Sequence, residues 1–389
     1  MQREALKGLR VVDLTTTIAG PHCTRLLADL GADVIKIEGP EGDMMRTRPP
    51  LRSNASTSFG QLNAGKRSVV LDLKDKRAQL AVRKLVAKAD VLVENYRPGV
   101  TRRLGLDYAT VAEENPRLVY CSISGYGQTG PSAELAAYAP VIHAASGYDL
   151  AHMAYQPGRT QPDNCGVYIA DVLTGTYAFG AIMAAINQRH VTGKGQHVDV
   201  SMLESMLTLT LTEMQAAQFT IPPPPRRHMF SPVATKDGYI HIAVASERTF
   251  QGLAEAAGRM DWITDPRFQR YLDRRSNWAE LMDELESWSR TLPAKDVLAA
   301  LERSNVPASP YRSVAEVMQD PQLDHRDAFT EVRDQAGSFK ALNPPFRMSA
   351  SATRAGEHAA ALGEHTAAVL AEAGLGRDDI AALTGGKER

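Results

Sequence analysis

Short apolar runs alternate with segments of helical periodicity through the first half of the chain. Residues 9–14, 34–38, 68–73, 91–94 and 118–124 are nearly unbroken stretches rich in Val, Ile and Leu, the pattern of strands covered on both faces. Between them, 21–30 reads as a helix stopped by Gly31, 76–89 carries Leu80, Val82, Leu85 and Val86 at helical spacing, and 108–114 precedes Pro116. Strand and helix in alternation predict an α/β fold with a doubly wound parallel sheet. A further helix is expected from Asp171 to about Arg189, then a turn at 193–196, a brief strand at 197–200, and a helix opened by Ser201 and Glu204 in a capping-box pattern.

The second half reads differently. Four consecutive prolines at 222–225, followed by Arg226, Arg227 and His228, cannot continue a helix and mark the strongest linker. Beyond it, Lys236-Asp237-Gly238 predicts a turn before a strand at 239–245, and helical segments fill 250–303 with Trp262, Trp278 and Trp288. This is a second, smaller α+β domain. Prolines return at 307, 310 and 321, and a last helix is expected at 364–373, ended by Gly374.

Composition narrows the function classes. A chain of 389 residues, 43% hydrophobic and 23% charged, has material for more than one domain core. Forty-four basic against 45 acidic residues leave a net charge of −1, so there is no global field for nucleic acid or an anionic membrane, and phosphate binding must rest on a few local cations. Cys23, Cys121 and Cys165 are too few and too scattered for a disulfide framework or thiolate metal cage, which suits a reducing cytoplasm. The mixed polar first nine residues, and the lack of about 18 consecutive apolar positions, predict neither a secretion signal nor a membrane span.

Several familiar motifs fail. The loop after the first strand, 15–21, contains only Gly20, so the three-glycine dinucleotide fingerprint is missing. Gly193-Lys194-Gly195 follows a helix instead of preceding one and reads as an ordinary turn, not a phosphate loop. The ten histidines lack metalloprotease spacing, and no metal site is expected. Ser124, in Ile123-Ser124-Gly125-Tyr126-Gly127, lacks the nucleophile-elbow context, and no cation adjoins Cys165 in sequence to activate its thiol.

Chemistry is best sought at the strand ends. Asp171 opens a slender helix containing Gly175, Ala178, Gly180, Ala181, Ala184 and Ala185. It reads either as a helix cap or as a carboxylate kept ionised by the helix N-terminus, of low proton affinity and free to attack an activated carbonyl. Residues 125–131, with Gly125, Tyr126 and Gln128, follow the fifth strand and form either a flexible gate or a demanding turn. Asn95-Tyr96-Arg97-Pro98-Gly99 follows the fourth, with Arg102 and Arg103 close by, which is either a solvated charged loop or a site for a nucleotide with phosphates.

Taken in order, Ala19-Gly20-Pro21 with 30–38, Gly42-Asp43 with Arg46, 63–73, 95–99, 125–131, Asp171, 192–196, Asp237-Gly238, Val306-Pro307 and 362–366 resemble the class III CoA-transferases from end to end. That family includes the formyl-CoA:oxalate and carnitine CoA-transferases and the α-methylacyl-CoA racemases. The resemblance implies a Rossmann-like large domain built from 1–220 and the returning 326–389, a small domain at 221–325, and a homodimer of interlocked subunits. It further implies that Asp171 is the catalytic nucleophile, passing through an acyl-aspartyl anhydride and an aspartyl-CoA thioester. The implied CoA contacts are Leu71, Leu73, Lys74, Asn95, Tyr96, Arg97 and Arg103, and the acyl site comprises Tyr138, Gly125, Tyr126 and Gln128. Its partners are an acyl-CoA donor and a carboxylic acid acceptor, with coenzyme A as a carrier substrate and no permanently bound cofactor.

Against the formyl-CoA type, the chain has Ile18 for Gln, Gly39 for an adenine-side Arg and Ala136 for Lys. The racemases carry a His-Asp pair where this chain has Tyr138-Ala139, and α-carbon deprotonation needs such a second acid-base group, so Tyr138 favours transfer. Racemisation or epimerisation of an acyl-CoA, and a non-catalytic CoA-ester binding protein, are the two alternative readings.

Overall fold

In the computed structural model, which describes residues 3–156, 158–219, 231–244 and 246–385, the five apolar runs and the brief strand expected at 197–200 form one six-stranded sheet. Its strands are β1 (Arg10–Asp13), β2 (Asp33–Glu38), β3 (Arg67–Val70), β4 (Val91–Glu94), β5 (Val119–Ser124) and β6 (Gln196–Ser201). Every neighbouring pair is parallel, in the spatial order β3-β2-β1-β4-β5-β6. The strand direction of growth therefore reverses beside β1, and in such sheets the crevice at that reversal, outside the carboxyl ends, is where ligands bind.

Side chains alternate between the two faces, and each face has its own core. Val12, Ile35, Val69, Leu92 and Tyr120 point to one side, under α2 (Lys76–Val86), α4 (Tyr108–Glu114) and the returning helix α8 (Thr366–Glu372). Val11, Val34, Val91, Val93 and Cys121 point to the other, under α1 (Ala19–Asp29) and α6 (Ile169–Thr192). By length and hydropathy α6 could cross a bilayer, but it packs along α1 and against β5. Its Arg189, buried near the far end, pairs with Asp90 at 3.0 Å.

Shorter helices include α3 (Val100–Leu104), α5 (Ala139–Ala145) and α7 (Met202–Leu207) in the connections, and α9 (Arg377–Thr384) after α8. Two differences from the sequence reading concern these pieces. The Ser201 hydroxyl accepts from the Glu204 N–H, but no reciprocal bond from the Glu204 side chain completes the expected box. The helix expected to be last is followed, after Gly374, by α9.

Residues 3–149, 164–214 and 321–385 make up this unit. A second comprises 150–163 and 215–320, and among its described residues Val233–Ala234, Tyr239–Ile242 and Ala308–Pro310 form an antiparallel three-stranded sheet. Helices Glu247–Ala256, Trp278–Ser289 and Ala294–Arg303 close over it, around fully buried Trp262, Phe268, Leu281 and Val297. The proline linker at 222–225 lies outside the described residues.

Candidate active site

The loop leaving β1 is fixed from below by buried charge. Asp13 accepts from the Thr15 N–H (2.9 Å), the Thr24 hydroxyl (2.7 Å) and the Lys66 ammonium (3.0 Å). Burial alone would push the Asp13 carboxyl up, but Lys66 and Lys36 with the two hydroxyls hold it at about 2. Burial pulls Lys66 down to about 8 against the attraction of Asp13. Lys36 donates to the Thr15 carbonyl (2.8 Å) and pairs with Asp43 (3.0 Å), whose other oxygen accepts the Thr17 N–H (3.2 Å). From β4, Asn95 accepts the Thr16 N–H (2.9 Å) and donates to the Thr16 carbonyl (2.8 Å). This network holds Thr17 at φ +72°, a left-handed conformation that a β-branched residue rarely adopts. The strained residue delivers the chain into the first turn of α1 at Ala19.

Asp171 comes from α6. The cap of that helix is Tyr168, without a side-chain bond, and Asp171 is its third residue, so the cap reading is not what the structure shows. Instead the Ala170 N–H donates to Nε2 of His143, a fully buried residue of α5, at 3.2 Å. The Asp171 carboxyl faces the backbone N–H of Ala19, and burial pushes it up to about 6 against the pull of that donor. The expectation of low proton affinity is thus corrected: removal from water outweighs the pull of the Ala19 N–H. The result is a carboxylate still mostly ionised at neutral pH yet more basic than a free aspartate. Gly175 permits this meeting of helices, because a Cβ there would lie 2.4 Å from the Ala19 carbonyl oxygen. Of the small-residue run, Gly175 serves this close approach, whereas Gly180 and Ala184 are exposed.

These elements enclose a cavity of about 250 Å³ at the carboxyl ends of β1, β4 and β5. Of the residues singled out from sequence, Asp171, Asn95, Tyr96, Arg97, Gly125 and Tyr138 line it together. Asn95 is engaged by Thr16, and Tyr96 donates its N–H to Glu94 (2.9 Å) while burial lifts its phenol to about 12. Arg97 and Tyr138 are exposed. The others lie off this wall. Leu71 has its side chain in the sheet core, with Leu73 half-buried and Lys74 exposed beyond β3. Arg103 is exposed on α3, and Tyr126 packs beside Ile142 and Met206. Gln128 donates its N–H to Asp199 (3.0 Å) and lines a separate cavity with His197 and Tyr108.

Sequence reasoning missed Thr16, Thr17 and His143, and weighed Ser124 only as a nucleophile. Thr16, Thr17 and His143 act through contacts between segments far apart in the chain. The one local signal was the position of Thr16, Thr17 and Ser124 at strand ends.

Comparison with known proteins adds four findings. The sequence pattern of CoA-transferase family III matches residues 6–366. The succinate–glutarate CoA-transferase of Agrobacterium fabrum is 33% identical over 387 residues, 95% of this chain and 96% of that protein. The acetyl-CoA:oxalate CoA-transferase of Acetobacter aceti is 38% identical over 328 residues, 82% and 84% of the two chains. The crystal structure of a CAIB/BAIF family protein from Brucella suis superposes with a TM-score of 0.83 at 35% identity, covering 96% of this chain and all of that one.

Proposed function

The chain belongs to CoA-transferase family III and is a transferase of CoA between carboxylic acids, and from that premise we propose that Asp171 is its nucleophile. A carboxylate oxygen of Asp171 attacks the thioester carbonyl carbon of the donor; the C–S bond breaks, CoA leaves as thiolate, and a mixed anhydride remains. The thiolate then attacks Cγ of Asp171, releasing the donor acid and leaving an aspartyl-CoA thioester. The acceptor carboxylate runs the sequence backwards, and the new acyl-CoA departs. No net proton is taken up and the acyl activation is conserved throughout, so neither ATP nor a resident cofactor is called for.

The observation that carries this reading is the placement of the Asp171 carboxyl in the cavity wall, half-withdrawn from water and opposite the Ala19 N–H. Desolvation makes it the better nucleophile, and the N–H is placed to favour charge on a reacting oxygen. Arg97 and Arg103, both exposed beside the loop after β4, supply cations for the CoA phosphates, with Leu71, Leu73 and Lys74 toward the adenine. Tyr138, Gly125, Tyr126 and Gln128 shape the acyl side. A cavity of about 250 Å³ suits a short acid, and the named relatives act on succinate, glutarate and oxalate, so the substrates proposed are short dicarboxylic acids. The active form is proposed as a cytoplasmic homodimer.

The test is incubation with a panel of short acyl-CoA donors and dicarboxylate acceptors, followed by intact-mass analysis and hydroxylamine trapping. Label on Asp171, and loss of CoA exchange with retained CoA binding in Asp171→Ala, are expected. Full exchange by that variant overturns the mechanism, and solvent deuterium at the α-carbon without acid exchange favours the isomerase alternative.

A further inference from the structure

Ser124 is the last residue of β5 and is buried, with a relative exposure of 8%. It lines the same cavity as Asp171. Among the described residues its hydroxyl finds no hydrogen-bond partner. Buried hydroxyls are ordinarily satisfied, so an orphan at a ligand cavity calls for an explanation. Two residues earlier on the same strand face, the Ser122 hydroxyl meets His197 Nε2 at 2.9 Å, so β5 does supply partners where structure alone is at stake.

The backbone donors of the loop after β1 that border the cavity are engaged, while Arg97 and Tyr138 stand exposed at its edge. The Thr16 N–H is bound by Asn95, and the Thr17 N–H by Asp43. The Ala19 N–H faces the Asp171 carboxyl. The carbonyl oxygen of the donor thioester gains negative charge as an Asp171 oxygen forms the new C–O bond, and it needs a second donor that does not compete for the nucleophile.

We infer that Ser124 is a further substrate-contacting residue, whose hydroxyl donates to the carbonyl oxygen of the acyl group under attack by Asp171. This rests on the proposed function of Asp171. Ser124 keeps its proton: Asp171 forms the C–O bond, the C–S bond breaks, and CoA departs as thiolate, while the hydroxyl only holds the oxygen on which charge appears. A neutral donor of this kind does not titrate in the working pH range and leaves the pH dependence to Asp171.

The experiment compares wild type, Ser124→Ala and Ser124→Thr as full chains, measuring kcat and KM for donor and acceptor, the fraction of Asp171 loaded with CoA, and the melting temperature. Ser124→Ala is expected to lose about 100-fold in kcat, the scale of one lost oxyanion donor, with KM little changed. Its melting temperature should not fall, because the hydroxyl has no protein partner to lose. Ser124→Thr, which keeps the hydroxyl, should recover part of the rate. Wild-type kcat in Ser124→Ala overturns the inference, and so does a lowered melting temperature or failure to fold, since either would assign the hydroxyl to the fold. A wild-type enzyme that never loads Asp171 would instead sink the proposed function.

Discussion

At the scale of single residues, Asp171 sets both a rate and a stability. Its folded-state value of about 6 lies above the ordinary 3.8, so between those limits the folded chain holds a proton that the unfolded chain has released. For the rate, the ionised form is the nucleophile, and transfer should fall about tenfold per pH unit below 6 and level off above it. A profile of kcat/KM for the donor that stays flat from pH 5 to 8 would contradict this. For stability the sign is opposite to that of a salt-bridged carboxylate. Above pH 6 the buried charge works against folding, and the penalty fades as pH drops toward 4. Asp171→Asn should therefore melt higher than wild type at pH 8, with the gap narrowing by pH 5. Equal melting temperatures at pH 8 would show that the carboxyl is better solvated than its surroundings indicate.

At the scale of elements, the site is a meeting of two helix starts. The first turn of α6 is held by a bond between residues 27 positions apart, the Ala170 N–H to His143 Nε2, and burial keeps His143 below its ordinary value and hence neutral, able to accept. His143→Leu leaves that donor unpaired, a loss of about 1–3 kcal/mol of stability. It should also lower kcat while CoA binding persists, because Asp171 sits one residue further on. Unchanged kcat would detach His143 from positioning. The same pair shows where reading from sequence stops. Strands β1 to β5 were legible because runs of Val, Ile and Leu covered on both faces leave an unmistakable local pattern, β6 because a brief strand follows the turn at 193–196, and Val91–Glu94 and Tyr108–Glu114 fall where periodicity put them. α3 has five residues between Gly99 and Gly105, and α5 has seven with Pro140 in its first turn, too short for a period to establish itself. Asp171 was legible as a carboxyl opening a slender helix. Its raised proton affinity was not, because the helix start is visible in sequence and the burial that raises the carboxyl is not.

At the scale of the molecule, the sheet needs the chain's far end, since α8 places Val369 and Leu370 in the same core as β3 and α2. One long element stays half-covered. Along α6, Val172, Thr176, Gly180, Ala184, Asn187 and Val191 recur every three or four residues and are all exposed. Such a stripe, small at its centre and apolar at its ends, lets a second helix approach closely, and the proposed homodimer would cover it. Gly180 makes the idea testable without disturbing the single chain, because a Cβ there meets nothing within 4 Å. Gly180→Arg adds bulk and charge at a point open in one subunit and closed in a dimer packed on α6. Light scattering of the wild type should return twice the 42.3 kDa chain mass, and the variant should return the mass of one chain with an unchanged far-UV spectrum. A variant that stays dimeric would place the subunit contact elsewhere, and a monomeric wild type would leave the apolar face of α6 without a partner of its own kind.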